Sequence, residues 1–405
     1  MSDPITKRGP MNRAAFGLAG GASVLSILGI ASACLEQAAP VADAAAGPPI
    51  FEVDPFWPRP LPNHWILGSA IGVSVDSRDH VWIIHRQDTF DERTEINAVA
   101  DPPTAECCAP APPVLEFDPD GNLVGSWGGS SDEYDWPQSN HGITVDHMDN
   151  VWIGGNGEND SHILKFTRAG DFLLQLGEPF MRSGSNHPEN FWRVAEVNID
   201  PEASEVYVAD GYGNKRVAVL DVETGEMKRY WGAYGNAPDD APIPAYSPDD
   251  PPAQQFRSPL HCTALSHDDL VYACDRASDR IQVFQPDGTF IREAFIAPET
   301  LGSGSAWDIA FSHDPGQRFI YLADGSNKKV HVLDRESLEV VSTFGGGGRQ
   351  AGQFYGVHSI AVDSRGNVYT TETYEGKRVQ KFVFRGFGAA GSGEQGPAWP
   401  RAEGR

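Results

Sequence analysis

Residues 355–379 read "YGVHSIAVDSRGNVYTTETYEGKRV". SIAVD alternates apolar and polar, SRGN turns, and VYTTE alternates again, the pattern of two half-buried strands in a tight hairpin. The unit returns five more times. "IGVSVDSRDHVWIIHR" begins at Ile71, "HGITVDHMDNVWIGGN" at His141 and "AEVNIDPEASEVYVADGYGNKRVAVLD" at Ala195. "HCTALSHDDLVYACDRASDRIQVFQPDG" begins at His261 and "WDIAFSHDPGQRFIYLADGSNKKVHVLD" at Trp307. Most copies run on through a polar link to a third strand and a turn to a fourth, such as "TFIREAF".

A four-strand unit repeated every 45 to 70 residues or so predicts an all-β fold, a six-bladed β-propeller, because one such unit cannot bury both of its faces alone. The excess length sits in two insertions, near 87–113 and 232–257. "IFEVDPFW", from Ile50, is a candidate for a strand that closes the ring. The predicted propeller spans 51–386, and 387–405 forms a flexible tail. The segment "VADGYGNKRVAVLD" resembles the NHL repeat, in which Asp, Asn and Arg/Lys tie the link between strands together. Asp210, Asn214, Arg216, Asp275 and Asp324 are therefore read as structural.

The formal net charge of −25 argues against a nucleic-acid partner, because phosphate would be repelled. The N-terminus is of different material. Lys7, Arg8 and Arg13 precede the uncharged apolar run "AAFGLAGGASVLSILGIASA", which ends at Cys34. Residues 1–34 read as a signal segment, and "ASAC" resembles a bacterial lipobox, with Ala31 standing where such motifs usually carry Leu. The same residues also fit a plain signal-peptidase site or an uncleaved anchor, with Met11 as an alternative start. Each version exports the chain, as a periplasmic protein or a bacterial lipoprotein held to the membrane through Cys34 alone. The Ala/Pro-rich segment 35–50 is then a tether. Export permits disulfides. Cys262 and Cys274 fall roughly opposite each other on consecutive strands, as a cross-strand bridge or as two buried thiols. Cys107 and Cys108 receive no role.

The first strand of a blade lines the central channel, so equivalent positions form a ring around the axis. At the start of that strand stand Ile71, His141, Ala195, His261, Trp307 and His358. The histidines occupy alternate blades, roughly 120° apart in a six-bladed ring. Three converging imidazoles with an open fourth position form the catalytic zinc pattern, whereas a closed structural site normally shows four protein ligands. The other nine histidines, including His80, His147, His267 and His313, are read as surface residues. A second ring follows the second strand. It aligns Arg86 with Arg276, and Tyr212 with Tyr374. Two guanidiniums near a metal suggest an anionic substrate, and a phenol beside a cation suits proton transfer.

These residues resemble the peptidyl-α-hydroxyglycine α-amidating lyase family, a six-bladed propeller with an axial three-histidine zinc. The resemblance covers roughly 65–385 through motifs in order. "IIHRQD" places the family's catalytic arginine on Arg86. "HGITVD", "SPLHCTAL" and "GVHSIAV" place its zinc ligands on His141, His261 and His358. "ADGYGN" places its catalytic tyrosine on Tyr212, and "CDRASDRI" a second arginine on Arg276.

The resemblance implies a zinc-dependent carbon–nitrogen lyase. It would cleave a peptidyl-α-hydroxyglycine, or another amidoglycolate with a terminal carboxylate, to peptide amide and glyoxylate. A monomer is expected. The family's structural calcium is weakly supported: the backbone carbonyls of Val73 and Ile143 are available, but Ser359 stands where the family has an aspartate, so an anionic ligand is lost. Gly213 replaces a family cysteine. Two other readings stay open. One is a different zinc lyase or hydrolase for a small carboxylate. The other is a non-enzymatic NHL-type binding propeller with a structural metal.

Overall fold

A computed structural model describes residues 47–388. The expected signal segment, with Cys34, lies outside the described residues, as do 35–46 of the tether and 389–405 of the tail. Within them, six four-stranded antiparallel sheets follow one another along the chain. Blade 1 comprises Ser69–Val75, Val81–Arg86, Val114–Phe117 and Leu123–Trp127. Blades 2 to 5 begin with the inner strands Asn140–Val145, Glu196–Asp200, Leu260–Leu265 and Asp308–Phe311. Blade 6 takes Val357–Val362, Val368–Glu372 and Arg378–Phe387 from the C-terminal part. Each inner strand lies against the next, and that of blade 6 lies against that of blade 1.

The ring closes as the "IFEVDPFW" segment suggested. Pro49–Asp54 pairs antiparallel with Arg378–Phe387 as the outer strand of blade 6, with Phe51 opposite Phe384 and Val53 opposite Phe382. Pairing of Pro49 with Phe387 carries the propeller two residues into the segment read as tether and one residue into the tail. Closing the last sheet with the first strand holds the two ends of the ring together through a hydrogen-bond ladder.

The hairpins form for local reasons. In the opening stretch, Asp363 Oδ1 accepts the amides of Arg365 (2.9 Å) and Asn367 (2.8 Å), and Gly366 takes φ +80°. That left-handed step is one a side chain resists. Asp146 does the same in blade 2, and its Oδ2 also accepts the indole N–H of Trp152 at 3.0 Å. The apolar alternants are buried between blades. Ile71 and Ile84 of blade 1 pack with Ile143, Ile153 and Leu164 of blade 2. Tyr369 and Val379 of blade 6 close the circle on Val73 and Ile83. Each fully buried side chain of this size stabilises the stack by roughly 1.5–3 kcal/mol. The structural NHL positions tie the links. Arg216 Nε meets Asp210 at 2.9 Å, Asn214 donates to Asp210 at 2.7 Å, and Arg280 meets Asp275 at 2.8 Å.

Two open points from the sequence close here. Cys262 and Cys274 are directly opposed, with Cα atoms 4.9 Å apart, and form a disulfide, as do Cys107 and Cys108. The reading of the remaining histidines as surface residues is corrected. His85, His162 and His331 are buried. His85 Nδ1 accepts the Gly68 amide, and burial lowers its pKa to about 4. His162 bonds the Asp135 carbonyl, and His331 bonds Asp324. His80 is half-buried at 2.6 Å from Glu116, beside Arg168. His85 and His162 face loop residues, whereas His331 and His80 meet a carboxylate on a strand of their own blade.

Candidate metal centre

The ring position is built by a repeated backbone irregularity. In blades 1, 4 and 6 the inner strand skips pairing at Ile71, His261 and His358, and in blade 2 at Gly142, next to His141. A bulge turns a side chain out of the regular alternation, and here the turned imidazoles meet on the axis. The rings of His141, His261 and His358 form a nearly equilateral triangle, with centroids 5.0, 4.8 and 4.9 Å apart. One nitrogen of each lies within 4.8 Å of the others. All three are buried. Burial first, then the neighbouring imidazoles, Arg86 and Arg276, hold their pKa values well below the usual histidine range. They are therefore neutral and free to donate lone pairs.

The intervening blades complete the arrangement with backbone oxygens. His141 Nδ1–H donates to Ala195 O at 2.7 Å, and His261 Nδ1–H donates to Trp307 O at 2.5 Å. His358 leans on Ile71 O, with its Nδ1 short of ordinary hydrogen-bond geometry. Each imidazole in an even blade thus faces the ring-position carbonyl of the next odd blade. In His141 and His261 the bond puts the proton on Nδ1, which leaves Nε2 as the ligand atom. Three neutral nitrogens with oriented outer partners fit a divalent metal such as zinc.

The predicted catalytic residues lie at one mouth of this cluster. The Tyr212 hydroxyl is 3.1 Å from His141 Nε2, 3.0 Å from His261 Nε2 and 3.1 Å from Arg276 Nη1. Gly213 has a reason here: an added Cβ would sit 2.4 Å from the Trp192 indole. Arg276 also stacks on Trp307, 4.5 Å from the ring centre. Arg86 Nε donates to Asn140 O at 3.1 Å, and its Nη2 to Asn156 Oδ1 at 2.8 Å. Burial lowers the Arg86 pKa, opposed by Tyr212 and nearby acids. Tyr374, aligned with Tyr212 by sequence, is 56% exposed and makes no hydrogen bond to the cluster. The sequence reading passed over Asn156, which links Arg86 to the Arg193 side chain. It also passed over the carbonyls of Ile71, Ala195 and Trp307, whose only signal was their place in the ring.

Toward the opposite mouth lies a cavity of about 290 Å³, lined in part by Val73, Ile143, Glu196, Asn198, Ile309 and Ile360. Ser359 Oγ donates to Asp308 at 2.6 Å. Asp308 and Glu196, each one residue past a ring position, bring two carboxylates to within 4.8 Å of each other. Burial raises both carboxyl pKa values. Oxygen donors of this kind suit a hard cation. Cys262, their neighbour, is committed to its disulfide.

No protein-family model matches the chain. It is 28% identical over 354 residues to peptidyl-alpha-hydroxyglycine alpha-amidating lyase 1 of Drosophila melanogaster, a match covering 81% of this chain and 59% of the fly protein. It is 25% identical over 336 residues to the peptidylglycine alpha-amidating monooxygenase of Rattus norvegicus, covering 80% of this chain and 31% of the rat protein. The chain is a distant homologue of the amidating lyases. NHL repeat-containing protein 3 of Mus musculus is 25% identical over 356 residues, covering 83% of this chain and 84% of the mouse protein. Among solved structures, a streptogramin B lyase aligns with TM-score 0.49 at 11% identity, over 82% of this chain and 98% of that one. Virginiamycin B lyase from Staphylococcus aureus aligns with TM-score 0.47 at 13% identity, over 83% of this chain and 88% of that one.

Proposed function

We propose that this propeller is a zinc-dependent lyase that cleaves the C–N bond of a peptidyl-α-hydroxyglycine, releasing a peptide amide and glyoxylate. The observation that carries the reading is the Tyr212 hydroxyl, about 3 Å from two imidazoles of the three-histidine cluster and 3.1 Å from Arg276, in a chain whose relatives include amidating lyases. Zinc held by His141, His261 and His358 would supply a Lewis acid that acidifies the substrate hydroxyl. Tyr212 acts in its phenolate form, which the Arg276 guanidinium stabilises, and becomes a neutral phenol on taking the hydroxyl proton. The freed O–H electron pair forms the new C=O bond as the C–N bond breaks. The proton returns from Tyr212 to the leaving nitrogen, so the step balances without water or an oxidant. Arg86, with two of its donors fixed on Asn140 and Asn156, keeps Nη1 for the bound anion.

The test uses the zinc-loaded protein and a peptide ending in α-hydroxyglycine. Glyoxylate and amide should appear in equal amounts, stop with a chelator and resume with zinc. His141→Ala should lose both metal and turnover. Stoichiometric zinc without glyoxylate would overturn the reading in favour of a different zinc enzyme. The mouse relative, matched over most of its length, keeps a non-enzymatic propeller with a structural metal as the second reading, which loss of folding on metal removal, with no turnover in the loaded protein, would favour. We also place the propeller outside the cytoplasm: its two disulfides suit an oxidising compartment, and Cys34 is the one cysteine left over for lipid.

A further inference from the structure

We infer that Arg193 is a third guanidinium of the mouth and binds the carboxylate of the substrate. Its Cζ lies 5.8 Å from the centre of the Tyr212 ring, and that of Arg276 lies 5.6 Å from the same ring. Arg193 Nε donates to Asn156 O at 2.7 Å, while the Asn156 side chain accepts from Arg86. One asparagine therefore joins two of the three arginines around the phenol.

The structural arginines behave differently. Arg216 and Arg280 place Nε and both Nη groups on protein acceptors, a carboxylate among them. Among the described residues, Arg193 uses Nε alone, and both Nη groups meet no hydrogen-bond partner. Among the described residues none of Arg86, Arg193 and Arg276 forms an ion pair with a carboxylate, in a chain of net charge −25. Neighbouring Asp160 makes no ion pair with Arg193; its carboxylate accepts the amides of Gln138, Ser139 and Gly157. The backbone holds the residue in place. Arg193 has φ +61°, its amide donates to Asp160 O at 2.7 Å, and its carbonyl accepts the Tyr212 amide at 3.2 Å. Unpaired donors with fixed positions beside a reaction site are suited to an anion that arrives with the ligand, and a guanidinium fork matches a carboxylate.

Naming that anion as a substrate carboxylate rests on the lyase reading; the anion site itself does not. The experiment titrates zinc-loaded wild type, Arg193→Gln and Arg193→Lys with glyoxylate, alongside zinc content and melting temperature. Arg193→Gln should weaken glyoxylate binding on the order of 10- to 100-fold, Arg193→Lys should recover part of it, and zinc content should stay level in both. With the hydroxyglycine peptide, KM should rise in Arg193→Gln while kcat holds within about threefold, and the peptide's methyl ester should be turned over equally by wild type and variant. Equal glyoxylate affinity in wild type and Arg193→Gln overturns the proposal, as does an equal loss on acid and ester. A wild type that binds glyoxylate through Arg193 but leaves the peptide intact sinks the lyase reading alone. If Arg193→Gln fails to fold, Arg193→Lys decides: unchanged glyoxylate affinity there refutes a bidentate clamp.

Discussion

Gly142→Ala tests whether the backbone oxygens of the odd blades set the metal affinity. Gly142 follows His141 at φ +69°, and a Cβ there would sit 2.6 Å from Ala195 O, the atom that accepts His141 Nδ1–H at 2.7 Å. Two costs follow. A left-handed backbone carrying a side chain costs roughly 1–2 kcal/mol, which lowers the stability of the metal-free protein. The contact is also closer than real Cβ atoms tolerate, so the carbonyl retreats and the imidazole loses its orienting partner. Losing such an outer partner costs about 10- to 100-fold in metal affinity. Gly366→Ala is the control: it has φ +80° but no atom nearer than 3.6 Å to the new Cβ. It should lose similar stability and keep its zinc affinity. Thermal melts of the metal-free proteins and zinc titration against a chromogenic chelator give both quantities. Equal zinc affinity in the two variants would refute the orienting role of Ala195 O.

Three further outcomes are expected. Tyr212→Phe should retain zinc and lose about 10²- to 10⁴-fold in kcat, measured as glyoxylate release; a loss below about threefold would remove the phenol from the proton transfer. Replacing both Cys262 and Cys274 by Ser should destabilise the propeller by about 2–4 kcal/mol, read from denaturant midpoints. Burial raises the Asp279 carboxyl pKa to about 7, so the folded state binds the proton more tightly than the unfolded chain. The group's contribution is then greatest at acid pH and is lost as pH climbs from about 4 to about 7. Asp279→Asn keeps the acceptor for the Ser305 amide and should flatten that part of the melting-temperature profile, and an unchanged slope would discard the assignment.

Local chemistry made much of the molecule legible in one dimension. Alternation, the Asp-anchored turns and the recurrence of the unit are properties of ten or twenty neighbouring residues, so the blade count and the ring position of His141, His261 and His358 were available from the sequence. The Cys262–Cys274 pairing stayed ambiguous because opposition across a hairpin depends on register, which the turn between Leu265 and Val271 sets.

What the sequence alone determined is the repeated unit and which side chain stands at each equivalent position, because strand periodicity and turn residues act over short range. The stacking of blades decided the rest. The carbonyls that orient the imidazoles have no residue type to announce them. Glu196 and Asp308 read as ordinary polar alternants until the ring brings them face to face. Arg193 sits in the irregular connection that enters blade 3, where its backbone meets that of Tyr212, and only the stacking of blade 3 on blade 2 sets its side chain against Asn156. Contacts between distant blades are products of ring geometry, and no short stretch of chain encodes them.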